Sequence, residues 1–170
     1  MSELNKYSIP IQGLKGGTHQ FDFQVDNHFF SQFESSPIKE GSFEVQLFFD
    51  KRPDMMVLDF AFTGKISTEC DRCLAEFELP LQDKQQLLVK YGEEFSEEEA
   101  EVVYIIRGTP LFNVARYIYE YICLAMPMIK LCEAGGVECD PESLKYLEQQ
   151  NDDPDENSIW EELKKFNNND

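Results

Sequence analysis

The sequence predicts an α+β fold in which an antiparallel sheet, formed between residues 7 and 106, packs against one main helix at 110–125. Runs of alternating apolar and polar residues occupy much of the first ninety positions, and such runs are typical of strands with one buried face. The clearest helical periodicity comes after these runs and does not alternate with them. This order favours segregated layers over a parallel sheet.

Three alternating runs predict the central strands. SFEVQLFFD is followed by a turn-like segment at 50–53 and then by MMVLDFAFTGKIS, so the first two runs are expected to form an antiparallel hairpin. The third run begins just after Cys70 and Cys73, which places this pair at the tip of a second hairpin. The residues expected to face the core are Phe43, Val45, Leu47, Phe49, Leu58, Phe60, Phe62, Phe77, Leu79 and Leu81. A run through Leu87, Val89 and Tyr91 extends the third strand or begins the next.

The second half of the chain predicts helices separated by acidic segments. GEEFSEEEAE, at 92–101, reads as an acidic loop because dense like charges repel one another, and VVYII reads as a strand. In the main helix Thr109 is the expected cap, Pro110 suits the first turn, and Pro127 limits the length.

Residues 1–150 are predicted to form a single domain that a metal stabilises, and 151–170 an acidic linker with a short amphipathic terminal helix. The apolar anchors of that helix are Ile159, Trp160, Leu163 and Phe166. These anchors are the candidate partner-binding residues, since an amphipathic helix can dock in a groove; the alternative is that the helix packs on its own domain.

The charge of the chain constrains its partners. Fifteen Lys and Arg against 33 Asp and Glu give a formal net charge of -18. Nucleic-acid binding draws on basic side chains that replace counterions, so extensive direct contact with RNA is disfavoured. A basic protein is the partner that such a field attracts, although solubility alone also accounts for an acidic composition. The sequence has no basic start followed by an apolar stretch and no membrane-length apolar run, which predicts a cytoplasmic protein.

The cysteine pair in STECDRCLAEF has two opposing interpretations. A redox Cys-x-x-Cys belongs where a strand passes into a helix, whereas here the following residues alternate as a strand. Two residues between cysteines at a hairpin tip also suit a zinc ion, whose bonds to sulfur are about 2.3 Å long. Metal binding is therefore the favoured interpretation, and the pair supplies half of a site.

The remaining ligands must come from Cys123, Cys132, Cys139, His19 or His28. Cys132 and Cys139 lie in KLCEAGGVECDPE, where two glycines allow a tight return, although six intervening residues exceed the commonest spacing. Cys123 lies inside the predicted helix and reads as a small apolar residue. The predicted site is thus one structural zinc bound by Cys70, Cys73, Cys132 and Cys139, and the opposing interpretation is four unligated thiols.

Catalytic motifs are scarce, and the sequence predicts no enzyme. His19 and His28 fit the exposed side of N-terminal strands and turns, and neither stands with a nucleophile in a local motif. The glycine pairs at 16–17 and 135–136 lack the Lys-Ser or Lys-Thr ending of a phosphate loop. No small-molecule substrate and no membrane association are expected.

Several segments in this order resemble the large ribosomal RNA subunit accumulation protein family, also called the YceD family. They are CDRCLAEFELPL, the helix ending in YICLAMPMIKLC with its Leu-Ala-Met-Pro at 124–127, a cysteine at 139, and SIWEELKKF. The similarity covers roughly 40–170. One departure is that relatives often begin the terminal segment with Asp-Pro-Arg, whereas this chain has Asn157-Ser158-Ile159 there.

The resemblance implies a non-catalytic factor needed for normal levels of the large-subunit ribosomal RNA, through its synthesis, processing or stability, and for ribosome assembly. It also agrees with metal-ligand residues at the four cysteines. Combined with the charge, it predicts that the chain binds a basic ribosomal protein or a large-subunit precursor. Two alternatives stay open: a zinc-stabilised adaptor with no ribosomal role, and an RNA-processing enzyme.

Overall fold

The computed structural model describes residues 3–98 and 102–149 of the chain. Single 3₁₀ turns at Glu3–Tyr7 and Cys132–Gly135 accompany eight strands and three helices in these residues. The strands are β1 (Ser8–Pro10), β2 (Gly17–Val25), β3 (Glu40–Lys51), β4 (Met55–Glu69), β5 (Glu76–Gly92), β6 (Ser96–Glu98), β7 (Val102–Ile106) and β8 (Leu111–Asn113). The helices are α1 (Asn27–Phe30), α2 (Ala115–Leu124) and α3 (Pro141–Gln149).

The main sheet has six strands in the order β2-β3-β4-β5-β7-β6. Its long strands are joined by hairpins and pair in antiparallel register, with Leu47 opposite Phe60 and Ile66 opposite Leu79. Side chains alternate across a strand, so one face carries the apolar residues and is buried while the other faces solvent. All ten residues expected to face the core are buried, which confirms the three central strands.

The far edge of the sheet differs from the expected pattern. β7 lies parallel to β5, because the chain first passes through β6 and then returns to insert β7 between the two. The sheet is therefore mixed at this one pair. The prediction that 92–101 is entirely an acidic loop was wrong at Ser96–Glu98, since these residues pair with β7; their backbone hydrogen bonds outweigh the preference of the acidic run for solvent.

The main helix begins later than predicted. Thr109 is not its cap, and Pro110 does not occupy its first turn, because residues 111–113 form β8 and pair with β1. The Thr109 hydroxyl instead donates to the carbonyl of Ile106 at 2.7 Å and closes the turn after β7. The side chain of Asn113 accepts from the backbone N–H of Ala115 at 2.9 Å, next to the true start of α2.

Helix α2 packs on the buried face of the sheet, which confirms the α+β class. The ring of Tyr121 lies 5.3 Å from that of Phe60 in β4, and Ile118 and Ile122 are almost wholly buried. Tyr119, on another side of the helix, stacks on Phe33 with 4.0 Å between ring centroids. The helix thus joins the sheet to the N-terminal segment.

The predicted terminal helix and its four anchors lie outside the described residues, as does the proposed boundary at 150–151. The last described element is α3 (Pro141–Gln149), which lies before the predicted linker at 151–170. In residues 3–98 and 102–149 no helix has the length and apolar character needed to span a bilayer.

Candidate metal centre

Cys70 and Cys73 occupy the tight turn between β4 and β5, as the alternating pattern predicts. The backbone N–H of Cys70 donates to the carbonyl of Ala75, and that of Leu74 donates to the carbonyl of Cys70, both at 2.9 Å. Leu74 has a φ of 61°, in the left-handed region. This turn points both sulfurs to the same side of the hairpin.

Cys132 and Cys139 lie on a second loop, which follows α2. Cys132 begins a 3₁₀ turn, and its carbonyl accepts from the N–H of Val137 at 3.1 Å. Gly136 ends the turn with a φ of 74°, a conformation that glycine adopts without steric cost. The chain then returns to Cys139, which explains how six intervening residues still bring two sulfurs to one point.

Close backbone contact holds the two loops against each other. A Cβ atom at Gly135 would lie 2.4 Å from the carbonyl oxygen of Glu78 in β5, so only glycine permits this approach. The backbone N–H of Asp71 donates to the carbonyl of Lys130 at 2.8 Å, and the N–H of Lys130 donates to the Asp71 carboxylate at 2.6 Å. These contacts fix the second loop on the hairpin.

The four sulfurs of Cys70, Cys73, Cys132 and Cys139 form one cluster. Their Sγ atoms all lie within 4.8 Å of one another, and this is the one group of three or more potential metal ligands within residues 3–98 and 102–149. The Sγ atoms of Cys70 and Cys139 are 3.8 Å apart, and those of Cys73 and Cys132 are 3.5 Å apart. All four cysteines are free thiols.

The cluster has the dimensions of a tetrahedral metal site. Four sulfurs bound at about 2.3 Å to one zinc ion would lie about 3.8 Å from each other. The two short separations are 3.5 and 3.8 Å, far longer than the bond of about 2.05 Å in a disulfide. The arrangement therefore fits one metal ion, and four protein sulfurs would fill its coordination sphere without an open position.

Backbone donors favour the ionised forms of the first pair. Burial raises the pKa of Cys70, but the N–H groups of Cys73, Arg72 and Cys132 donate toward its sulfur and lower its pKa to about 6. The N–H groups of Ala75 and Asp140 lower the pKa of Cys73. Such donors stabilise thiolates and orient them toward a cation.

Burial and the neighbouring sulfurs favour the neutral forms of the second pair. Burial, with the neighbouring sulfurs of Cys73 and Cys70, raises the pKa of Cys132 to about 12. Burial also raises the pKa of Cys139, together with the nearby sulfurs of Cys70 and Cys73. Four thiolates this close repel one another, so a divalent cation is the group that allows all four to ionise together.

The other candidate ligands are not part of the cluster. Cys123 lies in α2 and packs against the core, and burial raises the pKa of its thiol. The imidazole Nε2 of His19 lies 2.9 Å from the carbonyl oxygen of Lys15, and His28 pairs with the carboxylate of Glu3. His19 lies in the strand β2, as expected, but is partly buried. His28 is exposed, as expected, but it lies in the helix α1, so the expectation of a strand or turn was wrong there.

Sequence reasoning identified the four cysteines but missed what supports them. The backbone donor at Asp140 and the Asp71–Lys130 contact have no sequence signature, because both depend on how two distant loops meet. One feature of the second loop did have a sequence signal: Gly135-Gly136 predicts that the chain turns back sharply between Cys132 and Cys139. The structure adds that Gly135 is also the contact with β5.

The fold and the cluster define a class: α+β proteins in which two cysteine-bearing loops meet at one end of a sheet. The sequence model of the family described as large ribosomal RNA subunit accumulation protein YceD matches residues 58–167. The match covers well over half of the chain and includes all four cysteines, and the chain belongs to this family. No curated protein and no solved structure is significantly similar to it.

Proposed function

We propose that this protein is a non-catalytic factor that supports the accumulation of large-subunit ribosomal RNA and the assembly of the ribosome. Membership of the YceD family is the observation that carries the proposal, since the family description names accumulation of that RNA and no chemical reaction. The matched residues include the cysteine cluster, so the function and the site belong to the same part of the chain.

The role assigned to the cluster is to bind one structural zinc ion. Four sulfurs leave no position for water or substrate, and zinc sites of this kind stabilise folds. The ion would join Cys73 to Cys132, which are 59 positions apart, and so hold the loop after α2 on the β4–β5 hairpin. Cysteines that stay free of disulfides are typical of a reducing compartment, which supports a cytoplasmic location.

The proposed mode of action is protein binding, with little direct contact to RNA. A net charge of -18 repels phosphate and attracts a basic protein. Holding a basic ribosomal protein, or a large-subunit precursor through such a protein, would affect RNA accumulation indirectly. Ile159, Trp160, Leu163 and Phe166 remain the proposed apolar contacts of the terminal segment.

Affinity capture from cells, with and without ribonuclease, tests this function. The tagged full chain is expected to retain large-subunit precursors, and a ribosomal protein is expected to stay bound after the RNA is digested. Complete loss of ribosomal proteins after digestion would indicate an RNA-mediated contact and contradict the proposed mode. Absence of large-subunit components in both samples would favour an adaptor with no ribosomal role, and RNA cleavage by the purified chain would favour an RNA-processing enzyme.

A further inference from the structure

Four large apolar side chains around the cysteine cluster lie in solvent. Leu74, Met128, Ile129 and Val137 are exposed by 74%, 98%, 68% and 51% respectively, and they are called the knuckle patch below. Single exposed apolar residues are common on proteins, but several at one place mark an interaction surface.

The residues of the knuckle patch belong to three chain segments that meet at the cluster. Leu74 follows Cys73, whose sulfur lies 3.5 Å from that of Cys132. The N–H of Val137 donates to the carbonyl of Cys132 at 3.1 Å. Ile129 precedes Lys130, whose carbonyl accepts from the N–H of Asp71 and whose N–H donates to the Asp71 carboxylate. The segments that carry the four residues are therefore held at the same end of the sheet.

The backbone at Leu74 is a second, independent observation. Its φ of 61° belongs to the left-handed region, which costs a residue with a Cβ atom about 1–2 kcal/mol. Glycine would avoid this cost, and the exposed leucine side chain recovers little of it through burial. Fold stability therefore does not account for leucine at this position, and strain of this kind is typical of functional sites.

The charge around the knuckle patch specifies what covers it. Residues 69–78 and 130–142 contain eight carboxylates and two cationic side chains, a balance of -6. Four thiolates with one divalent ion would add about -2. A second copy of the chain would bring its own -18, and nucleic acid or an anionic membrane would also be repelled. The complementary occupant is cationic.

We propose that the knuckle patch docks a cationic protein segment whose apolar side chains are flanked by Lys and Arg. The apolar anchors would cover Leu74, Met128, Ile129 and Val137, and the cations would face the surrounding carboxylates. This inference rests on the proposed function, in which the partner is a basic protein, and it adds the place where that partner binds. The same end of the sheet then carries both the structural metal and the interface.

Three short probe peptides test the proposal on the full chain. The first has leucines at helical spacing with lysine at the other positions, the second has glutamate in place of every lysine, and the third has serine in place of every leucine. Binding is followed by fluorescence polarisation at about 0.15 M salt, where exposed charges are partly screened. The patch variant is Met128→Ser/Ile129→Ser. The control is Ile106→Ser, which changes a residue 54% exposed at the end of β7, far along the sheet from the cluster.

The leucine–lysine peptide is expected to bind the native chain, and the patch variant is expected to weaken it by about tenfold or more, as hot-spot residues do. The control variant should bind it like the native chain, and the other two peptides should bind poorly. Unchanged binding by the patch variant, or equal binding of the serine–lysine peptide, would overturn the proposal. Retained metal content and melting temperature show that the variant is folded.

Two further measurements test whether the terminal segment or a second copy of the chain covers the knuckle patch in place of a cationic partner. Trp160 is the single tryptophan of the chain, so a red shift of its emission in the patch variant alone would indicate that the terminal segment covers the patch. A native dimer that the patch variant dissociates would indicate a second copy. Either result overturns the inference. Because the peptide assay does not involve the ribosome, a failure of the proposed function would appear separately, as the absence of large-subunit components in affinity capture.

Discussion

Replacing one cysteine of the cluster should destabilise the whole fold. In Cys132→Ser the metal is expected to be lost, and with it the connection between Cys73 and Cys132. Closure of a loop of 59 positions corresponds to about 4 kcal/mol by the chain-entropy relation for cross-links. For a chain of this size each kcal/mol shifts the melting temperature by about 2–4 °C. The expected decrease is therefore roughly 8–16 °C.

Thermal denaturation followed by circular dichroism, with metal analysis of the same samples, measures this effect. Cys70→Ser should behave like Cys132→Ser, because the Cys70 Sγ lies 3.8 Å from that of Cys139 within the same cluster. Cys123→Ala is the matched control, since Cys123 packs against the core outside the cluster, and it should keep one metal ion per chain. Treating the native chain with a chelator should lower its melting temperature to near that of Cys132→Ser. A Cys132→Ser variant that keeps its metal and has the melting temperature of the native chain would show that Cys132 neither binds the metal nor links the two loops.

Three further predictions concern the loops, the protons and the terminal segment. Gly135→Ala should weaken metal retention and cost about 1–3 kcal/mol, as overpacking does, because its Cβ would lie 2.4 Å from the Glu78 carbonyl. Chelator competition measures this. Gly136→Asn is the comparison: its Cβ meets no neighbour, and Asn tolerates the left-handed φ of 74° better than most residues do, so it should cost less than Gly135→Ala. Metal loading at pH 7 should release about three protons or fewer, against nearly four for ordinary thiols, because the pKa of Cys70 is lowered to about 6 and that thiol is already ionised. The affinity for the metal should therefore fall as the pH is lowered, because protons compete for the sulfurs. Calorimetry in buffers of different ionisation enthalpy counts the protons released. A release of four protons would show that the backbone donors do not lower the pKa of Cys70. Deleting residues 157–170 should reduce capture of the partner and leave the melting temperature unchanged, whereas lost stability alone would show that the segment packs on its own domain.

The central strands could be predicted because their apolar residues repeat with a period of two. Phe43 to Phe49 and Leu58 to Phe62 each show this alternation, and all their inward-facing members are buried. The cysteine pair at 70 and 73 could likewise be placed, since alternation resumes directly after it. In each case the signal lies within one segment of the chain.

The features that sequence reasoning missed depend on contacts between distant segments. Leu111 fits the helical spacing of the residues after it. In the structure it lies in β8, pairs with Pro10 of β1, and is 56% exposed. Ser96–Glu98 belong to an acidic run, yet they pair with β7. Met128 and Ile129 are apolar, and their sequence alone does not show that they remain in solvent. Tertiary pairing decides all three cases, and local propensity is a weak guide to it.

The knuckle patch and the metal centre give the two ends of the sheet different roles. At the cysteine end, β4 and β5 meet the loop after α2, and the exposed apolar residues lie there. At the other end, Tyr91 contacts Arg107 as a cation–π pair, with 4.8 Å between the guanidinium carbon and the ring centroid.

The ratio of large- to small-subunit ribosomal RNA, in cells whose copy of this gene has been deleted, tests whether the intact cysteine cluster is needed for accumulation of the large-subunit RNA. Expression of the native chain or of Cys123→Ala is expected to restore the ratio. Expression of Cys70→Ser or Cys132→Ser at matched protein levels is expected to leave it low, because the knuckle end of the sheet is no longer held together. Full restoration by both cysteine variants would show that the cluster is not needed for this function, and a normal ratio in the deleted cells would show that the protein itself is not.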